Sequence, residues 1–202
     1  MYCILIAGLP AAGKGTLARE LSRRLGLPMF SKDDIKELLY DTVGFRGRAE
    51  KVALGVGAME AMYYAAGQVM ARGGSVILEN NFENASLPGL RALLEKYQAR
   101  PLTVLLTGDS EVLYQRFLER DQSPRRHRGH VVNTCYPEPK GERPPYAPMS
   151  YAQYVEGFTQ RGMDSFAPGG PRLTVDATDL DKVDWQALAE EIQGYLAQEP
   201  AW

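Results

Sequence analysis

Cysteine is almost missing from these 202 residues; there are two, Cys3 inside an apolar run and Cys135 in a proline-rich stretch. That excludes a small scaffold framed by disulfides and fits a reducing compartment. No apolar run approaches the roughly 18 residues that a membrane-spanning helix needs. The first strand-like run starts almost at Met1, so no basic leader with a cleavage site is expected, and a cytoplasmic location is. Charge of one sign is lacking too. Lys and Arg number 23 against 25 Asp and Glu, a net charge of −2, so the chain as a whole is not built to coat nucleic acid or an anionic membrane. Histidine is scarce: His127 and His130 flank Arg128-Gly129 and are the only two. With Cys135 as the one further ligand nearby, they fall short of a zinc site. No internal repeat is visible. The length suits one domain with an appended lid and is ample for a large core.

What the chain does have is concentrated at its start, in "ILIAGLPAAGKGT", residues 4–16. Ile4-Leu5-Ile6-Ala7 is apolar at every position, as a parallel strand covered on both faces tends to be. Gly8 and Gly13 bound a loop, and helical patterning begins near Lys14. Strand, glycine-bounded loop and helix form the context in which G-x-x-x-x-G-K signals a phosphate-binding loop. Leu9, Pro10, Ala11 and Ala12 carry no side chain able to do chemistry, so backbone N–H groups and the helix N-terminus must hold the anionic oxygens. Lys14 adds a point charge near the outer phosphates.

Strands and helices then alternate. Leu17, Leu21 and Leu25 recur at helical spacing before Gly26 and Pro28. Pro28-Met29-Phe30 is a short second strand. Ser31 reads as an N-cap for a helix whose apolar stripe is Ile35, Leu38 and Leu39. Residues 48–72 form a long helix, "SVILE" (75–79) a third strand, and Ser86 caps the helix carrying Leu90, Leu93, Leu94 and Tyr97. "LTVLL" (102–106) is a fourth strand and Ser110 caps "EVLYQRFLERD". Residues 121–149 are rich in proline and poor in periodic apolar residues, as a functional lid is. Ser150 restarts a helix, "RLTVD" (172–176) is a fifth strand, and Trp185, Leu188, Ile192 and Tyr195 share a face of the last helix. This order predicts an α/β domain over residues 1–202, a five-stranded parallel sheet wrapped by helices, with a lid at about 121–149.

In this order the motifs resemble those of the P-loop kinases of the adenylate-kinase-like group. "GLPAAGKGT" resembles their loop, in which a glycine follows the lysine. "SKDDIKELLYD" resembles the aspartate-bearing stretch of polynucleotide 5′-kinases and of zeta-toxin-like small kinases. "VILENNF" sits where that group has a strand ending in an acidic residue, and "EVLYQRFLER" with "RRHRGH" resembles the arginine-bearing helix and lid. Two departures stand out. Gly15 occupies the position where the general motif has the Ser/Thr that meets Mg²⁺, leaving Thr16 one place later, and Glu79 stands where many relatives carry Asp.

Each candidate residue has a plainer role beside its functional one. Asp34, third after Ser31, suits the first turn of a helix through its dipole. Asp33 is left over at the carboxyl end of the second strand, on the ligand side of a parallel sheet, and the resemblance points to it as the acceptor of the hydroxyl proton. Glu79 is either an idle sheet-edge acid or, with Thr16, a ligand of Mg²⁺ directly or through water. Asn80 and Asn81 read as turn residues. Arg116 and Arg120 share a helix face opposite Val112, Leu113 and Phe117. With Arg125, Arg126 and Arg128 behind them, they predict an arginine cluster over the phosphates, although pairing with Glu119 or Asp121 on a solvated face is the alternative. Arg46 and Arg48 are equally suited to an anionic acceptor or to the surface. Tyr136 and Tyr146 border the lid but give only a weak stacking pattern.

The expectation is therefore an ATP- and Mg²⁺-dependent kinase. Gly8, Pro10, Ala11, Ala12, Gly13, Lys14, Gly15, Thr16 and Arg116 bind nucleotide, and Asp33, Lys14, Arg116, Arg120 and Arg126 serve the transfer. The acceptor is a small-molecule hydroxyl. A nucleic-acid 5′-end, or an NTPase switch with no acceptor, is the alternative.

Overall fold

Five strands are present: β1 (Tyr2–Gly8), β2 (Met29–Ser31), β3 (Val76–Glu79), β4 (Arg100–Thr107) and β5 (Arg172–Asp176). They come from a computed structural model of the protein, which describes residues 1–141 and 147–198. All pair in parallel, in the order β2-β3-β1-β4-β5. β1 lies in the middle and is buried at all seven positions, which is why its sequence is apolar throughout and does not alternate. Its neighbours are β3 on one side and β4 on the other, so the strand order reverses there. In open parallel sheets that reversal opens a crevice at the carboxyl ends of the strands.

The helices are α1 (Lys14–Leu25), α2 (Lys32–Thr42), α3 (Arg48–Met70), α4 (Leu87–Tyr97), α5 (Ser110–Gln122), the short α6 (Arg128–Val131), α7 (Tyr151–Gln160) and α8 (Trp185–Leu196). They cover both faces of the sheet. Successive residues of β1 point to opposite sides. Ile4 and Ile6 pack with Leu17 and Leu21 of α1, Phe117 of α5 and Leu188 and Ile192 of α8. Cys3, Leu5 and Ala7 pack with Met62 and Ala66 of α3 and Leu90 and Leu94 of α4. Cys3 is buried and its thiol is pushed up to about 12 by burial, which leaves it unreactive. No helix among the described residues is long and apolar enough to cross a membrane.

The expected caps hold at two helices and fail at two. Ser31 accepts from the Asp34 N–H at the start of α2, and Ser150 from the Gln153 N–H at the start of α7. At α5 the cap is Asp109, whose carboxylate accepts from the N–H groups of Glu111 and Val112; Ser110 is already helical. Ser86 does not cap α4. It closes a 3₁₀ turn over Asn84–Ser86, where its hydroxyl accepts from the Glu83 N–H. The residue one place earlier wins at α5 because aspartate, an equally good cap, brings two acceptors and a charge to the dipole. In α2, Ile35 and Leu39 are half-buried but Leu38 is exposed and Tyr40 supplies the buried contact.

The described part of segment 121–149 packs against α2 and α3. Tyr40, Phe45 and Val132 form a third, small apolar cluster with Tyr136 against it. Phe45 and Tyr136 exchange backbone hydrogen bonds at 2.8 Å. Tyr146 lies outside the described residues.

Candidate active site

The turn from β1 into α1 is shaped by two glycines. Gly8 has φ +127° and its α-carbon faces the Leu106 carbonyl so closely that no Cβ fits; Gly13 has φ +86° and faces Leu180. Only glycine adopts such angles without cost. Ala11, at φ +64°, carries left-handed strain inside the loop. Gly13, Lys14, Gly15 and Thr16 lead into the first turn of α1, whose N–H groups have no intrahelical acceptor and carry the positive end of the helix dipole. Lys14 is buried, and its ammonium donates to the carbonyls of Gly8 at 3.1 Å and Leu9 at 2.7 Å. Burial draws its pKa down to about 8, partly countered by Glu79 and reinforced by Arg120. A buried ammonium resting on neutral carbonyls is held ready for a stronger, charged acceptor.

Over this loop opens a cavity of ≈ 490 Å³. It is lined by Ala11, Gly13, Lys14, Gly15 and Thr16 of the loop and first helical turn, by the acids Asp33, Asp34 and Glu79, and by Arg116, Arg120, Arg125 and Arg126. Ala12 is buried beneath the loop, and the Pro10 carbonyl is taken by the Tyr154 hydroxyl at 2.8 Å, so both act through the loop's shape.

Among the acids, register brings Ser31 of β2 level with Glu79 of β3. The Ser31 hydroxyl donates to the Glu79 carboxylate at 2.7 Å while accepting from the Asp34 N–H, so one side chain both caps α2 and orients the acid. Burial pushes Glu79 up, opposed by Lys14 and the Ser31 hydrogen bond and aided by Asp33 and Asp34. For Asp33 burial also acts upward, but His130, Arg126, Lys36 and Lys32 outweigh it and hold the carboxyl below its ordinary range. His130 is itself drawn down to about 3 by burial, against the pull of Asp33 and with repulsion from Arg126 and Lys36. Near neutral pH it is therefore an uncharged imidazole, and its 2.9 Å contact with Glu37 is a hydrogen bond rather than an ion pair. The permanent cations Arg126, Lys36 and Lys32 then keep Asp33 ionised. The two aspartates thus differ: Asp33 is held as a carboxylate among cations, while Asp34 is exposed at the helix start.

The arginine set is less uniform than the sequence suggests. Arg116 lines the cavity, yet its guanidinium donates to the Ala177 and Thr178 carbonyls at 2.5 and 2.7 Å, stapling α5 to the loop after β5. Arg120 makes a two-pronged contact with its neighbour Asp121 at 3.1 and 3.0 Å. The Arg126 Nε faces the same carboxylate at 3.5 Å as an ion pair and is buried without a hydrogen bond among the described residues. Arg126 also lines the cavity, where an anionic oxygen would be a suitable partner for its guanidinium. Arg125 is exposed on the rim. Arg128 departs from the expected cluster: it pairs with Glu138 at 2.8 and 2.7 Å, because α6 turns it away from the cavity and a carboxylate lies within reach.

Thr16 and Glu79 fit Mg²⁺ as a hydroxyl and a carboxylate, hard oxygen donors in one cavity, and burial has left Glu79 short of positive charge. No group of three or more His, Cys, Asp or Glu able to hold a metal exists among the described residues. A bound Mg²⁺ would therefore complete its shell with water and phosphate oxygens, its usual practice. His127 and His130 are spent on Asp41 and Glu37, each through Nε2.

Several contributors were not legible in the sequence. Asn81 and Arg19 line the cavity, Asn80 is buried with its N–H on the Ile6 carbonyl, and Tyr154 arrives from α7, 144 positions away from Pro10. Lys51 of α3 is buried too. Its ammonium donates to the His130 carbonyl at 2.8 Å, the Val132 carbonyl at 2.5 Å and the Asn133 side chain at 3.1 Å, fastening the lid base to α3. Nothing local in the sequence marks these residues, since each acts on a distant element.

Known proteins resemble this chain in sequence and fold. The family described as an AAA domain matches residues 4–135, from β1 through the described lid base. A shikimate kinase of Paracidovorax citrulli (strain AAC00-1) is 33% identical over 131 residues, 59% of this chain; the match spans 63% of that relative's length. A provisionally named kinase of Chloroflexus aurantiacus J-10-fl superposes with a TM-score of 0.79 at 27% identity, over 96% of this chain and 97% of that one. A shikimate kinase of Bacteroides thetaiotaomicron shares the fold at a TM-score of 0.51 and 17% identity, over 98% of this chain and 99% of that one. The architecture is that of the P-loop kinases.

Proposed function

Because the chain belongs to the AAA-domain family, we propose that it is an ATP-dependent phosphotransferase that moves the γ-phosphoryl group to a hydroxyl of a small-molecule acceptor. The observation that carries this reading is what one cavity brings together. A carboxylate kept ionised, Asp33, shares it with Lys14 of the glycine-bounded loop and with Arg120 and Arg126.

In this reading the loop N–H groups and Lys14 hold the β- and γ-phosphates of ATP. Thr16 and Glu79 would hold Mg²⁺, which would supply charge neutralisation at the phosphates. Asp33 accepts the proton of the acceptor hydroxyl as its oxygen attacks the γ-phosphorus and the bond to the β-phosphate oxygen breaks. Arg120 and Arg126 balance charge on the transferring group. Arg116 works one step back, holding the 177–178 loop beside the nucleotide. Segment 121–149 is the lid that excludes water. Closer kinship with the zeta-toxin-like and polynucleotide 5′-kinase-like small kinases belongs to this proposal as well. Arginines supplied by the same chain favour transfer over a switch that borrows one from a partner.

The test is to incubate the protein with γ-labelled ATP and Mg²⁺ against separate pools of sugars, hydroxy acids, nucleosides, aminoglycosides and 5′-hydroxyl oligonucleotides. Label is expected in a small molecule, with ATP turnover dependent on it. Turnover indifferent to every pool would favour the switch, and label on oligonucleotides the polynucleotide reading.

A further inference from the structure

Arg120 and Arg126, the two arginines assigned to the transferring group, share a counter-charge that lies outside the cavity. Arg120 is in the last turn of α5, and Arg126 lies beyond the turn that follows the helix. Ser123 makes that turn: its N–H donates to the Arg120 carbonyl at 3.1 Å, and its carbonyl accepts from the Arg126 N–H at 3.0 Å. The turn brings both guanidinium groups onto one oxygen, Oδ1 of Asp121, at 3.1 and 3.0 Å from Arg120 and 3.5 Å from Arg126. Only 14% of the Asp121 side chain is accessible. Both arginines line the phosphate cavity and Asp121 does not.

Two features set this apart from a routine surface pair. Residues adjacent on a helix do not face each other, so Arg120 has to bend toward Asp121, whereas helical ion pairs ordinarily join residues three or four places apart. A carboxylate in the last turn of a helix also meets the negative end of the dipole, and α5 by itself is better served there by a neutral or basic residue. What compensates is the charge around Asp121. Arg126 is drawn down by burial first and by Arg120 next, against the pull of Asp33, Asp121 and Glu37. Lys14 is likewise repelled by Arg120 and Arg126. Asp33 and Glu37 line the cavity, where Asp33 is the proton acceptor in the reading above and Glu37 bonds to His130. Of these three carboxylates, Asp121 is the one that offsets guanidinium repulsion without lining the space a phosphate would fill.

We propose that Asp121 is a positioning residue of the phosphate cavity: its carboxylate holds Arg120 and Arg126 together, so that both guanidinium groups meet the transferring phosphoryl group already oriented. The service to transfer rests on the kinase reading above. The hold on the arginines does not, and binding of pyrophosphate to the nucleotide-free protein tests it separately. Asp121→Asn is nearly isosteric and removes an anion that competes for the two guanidinium groups. Pyrophosphate, titrated calorimetrically, should bind this variant about two- to fivefold more tightly than wild type, the usual worth of a partly exposed ion pair. The gain should vanish when Arg126→Met is added. Asp121→Glu restores the carboxylate and should bring affinity back toward wild type. In the transfer arm, γ-labelled ATP is followed into whichever acceptor pool takes label. There Asp121→Asn should lower kcat by about ten- to a hundredfold, the scale of loss when a group is misplaced by about an ångström. KM for ATP should be no higher than wild type, and Asp121→Glu should recover part of kcat. A residue that only props the helix would lower stability and pyrophosphate affinity together and show no such split. If the pyrophosphate gain appears and depends on Arg126, yet no pool takes label, the hold on the arginines stands and the kinase reading fails. Pyrophosphate affinity unchanged or weaker in Asp121→Asn, a gain that survives Arg126→Met, or label transfer with kcat within about twofold of wild type, overturns the proposal.

Discussion

At the scale of single residues, two adjacent aspartates make the sharpest contrast. Asp33 is held ionised within the cavity, and Asp34 lends its N–H to Ser31 at an exposed helix start. Asp33→Asn keeps the shape and removes the proton acceptor, so turnover should fall by ~10²–10⁴-fold with nucleotide affinity little changed. Asp34→Asn should cost about 1 kcal/mol of stability or less, and little turnover. Steady-state kinetics with nucleotide titration on both variants checks this; loss of turnover in Asp34→Asn alone reverses the roles. Lys14 gives a pH signature. Its free-state pKa is lowered to about 8, and bound phosphates favour the ammonium, so the bound-state value lies higher. Nucleotide binding then takes up a proton above pH 8. Affinity should be level well below pH 8 and decline as pH rises through about 8, approaching tenfold per unit above it. Lys14→Met should bind nucleotide weakly with no such decline, as calorimetry across that range would reveal.

Among the elements, helix ends show where local sequence rules hold. Gly26 closes α1 in the left-handed conformation, the glycine signature the sequence displays openly. α4 ends in the same conformation on Gln98, at φ +50° and exposed. A side chain there costs roughly 1 kcal/mol that glycine avoids, less the extra freedom glycine has when unfolded. Gln98→Gly is expected to stabilise by up to about 1 kcal/mol, or about 2–4 °C in Tm for a chain of this size. Thermal unfolding would show it, and a fall in Tm would mean the unfolded-state term dominates. Ser110 and Ser86 show the opposite case. Both look like caps in isolation, and both lose the role to a neighbouring residue or turn that the chain direction favours.

For the molecule as a whole, residues 130–133 are fastened to α3. Lys51 binds three acceptors in residues 130–133, and the same stretch carries Arg126 and His130 toward Asp33. Lys51→Met should cost about 1–3 kcal/mol from unpaired acceptors and lower kcat more than nucleotide affinity, because Arg126 is no longer held in place. Combined unfolding and kinetic measurements test this, and a variant with normal kcat would detach the lid base from transfer. The lid reading also predicts that backbone amides of residues 123–141 exchange more slowly once nucleotide and acceptor are bound. Exchange unchanged by both ligands would mean a static segment.

The parallel sheet, the helix order and the phosphate loop were legible in the sequence because each depends on near neighbours. Continuous burial marks β1, glycines mark the turn at Gly8 and Gly13, and periodicity marks α1 and α8. The different settings of Asp33 and Asp34 were legible for the same reason, since the cap at Ser31 takes the Asp34 N–H and leaves Asp33 over. The rest required the tertiary structure. Ser31 meets Glu79 only through strand register, Tyr154 meets Pro10 only when α7 folds back, and Arg116 and Arg128 are claimed by partners far along the chain or beyond a turn. Charge and hydrogen-bond partners depend on distances in space, and a linear chain displays only distances along itself.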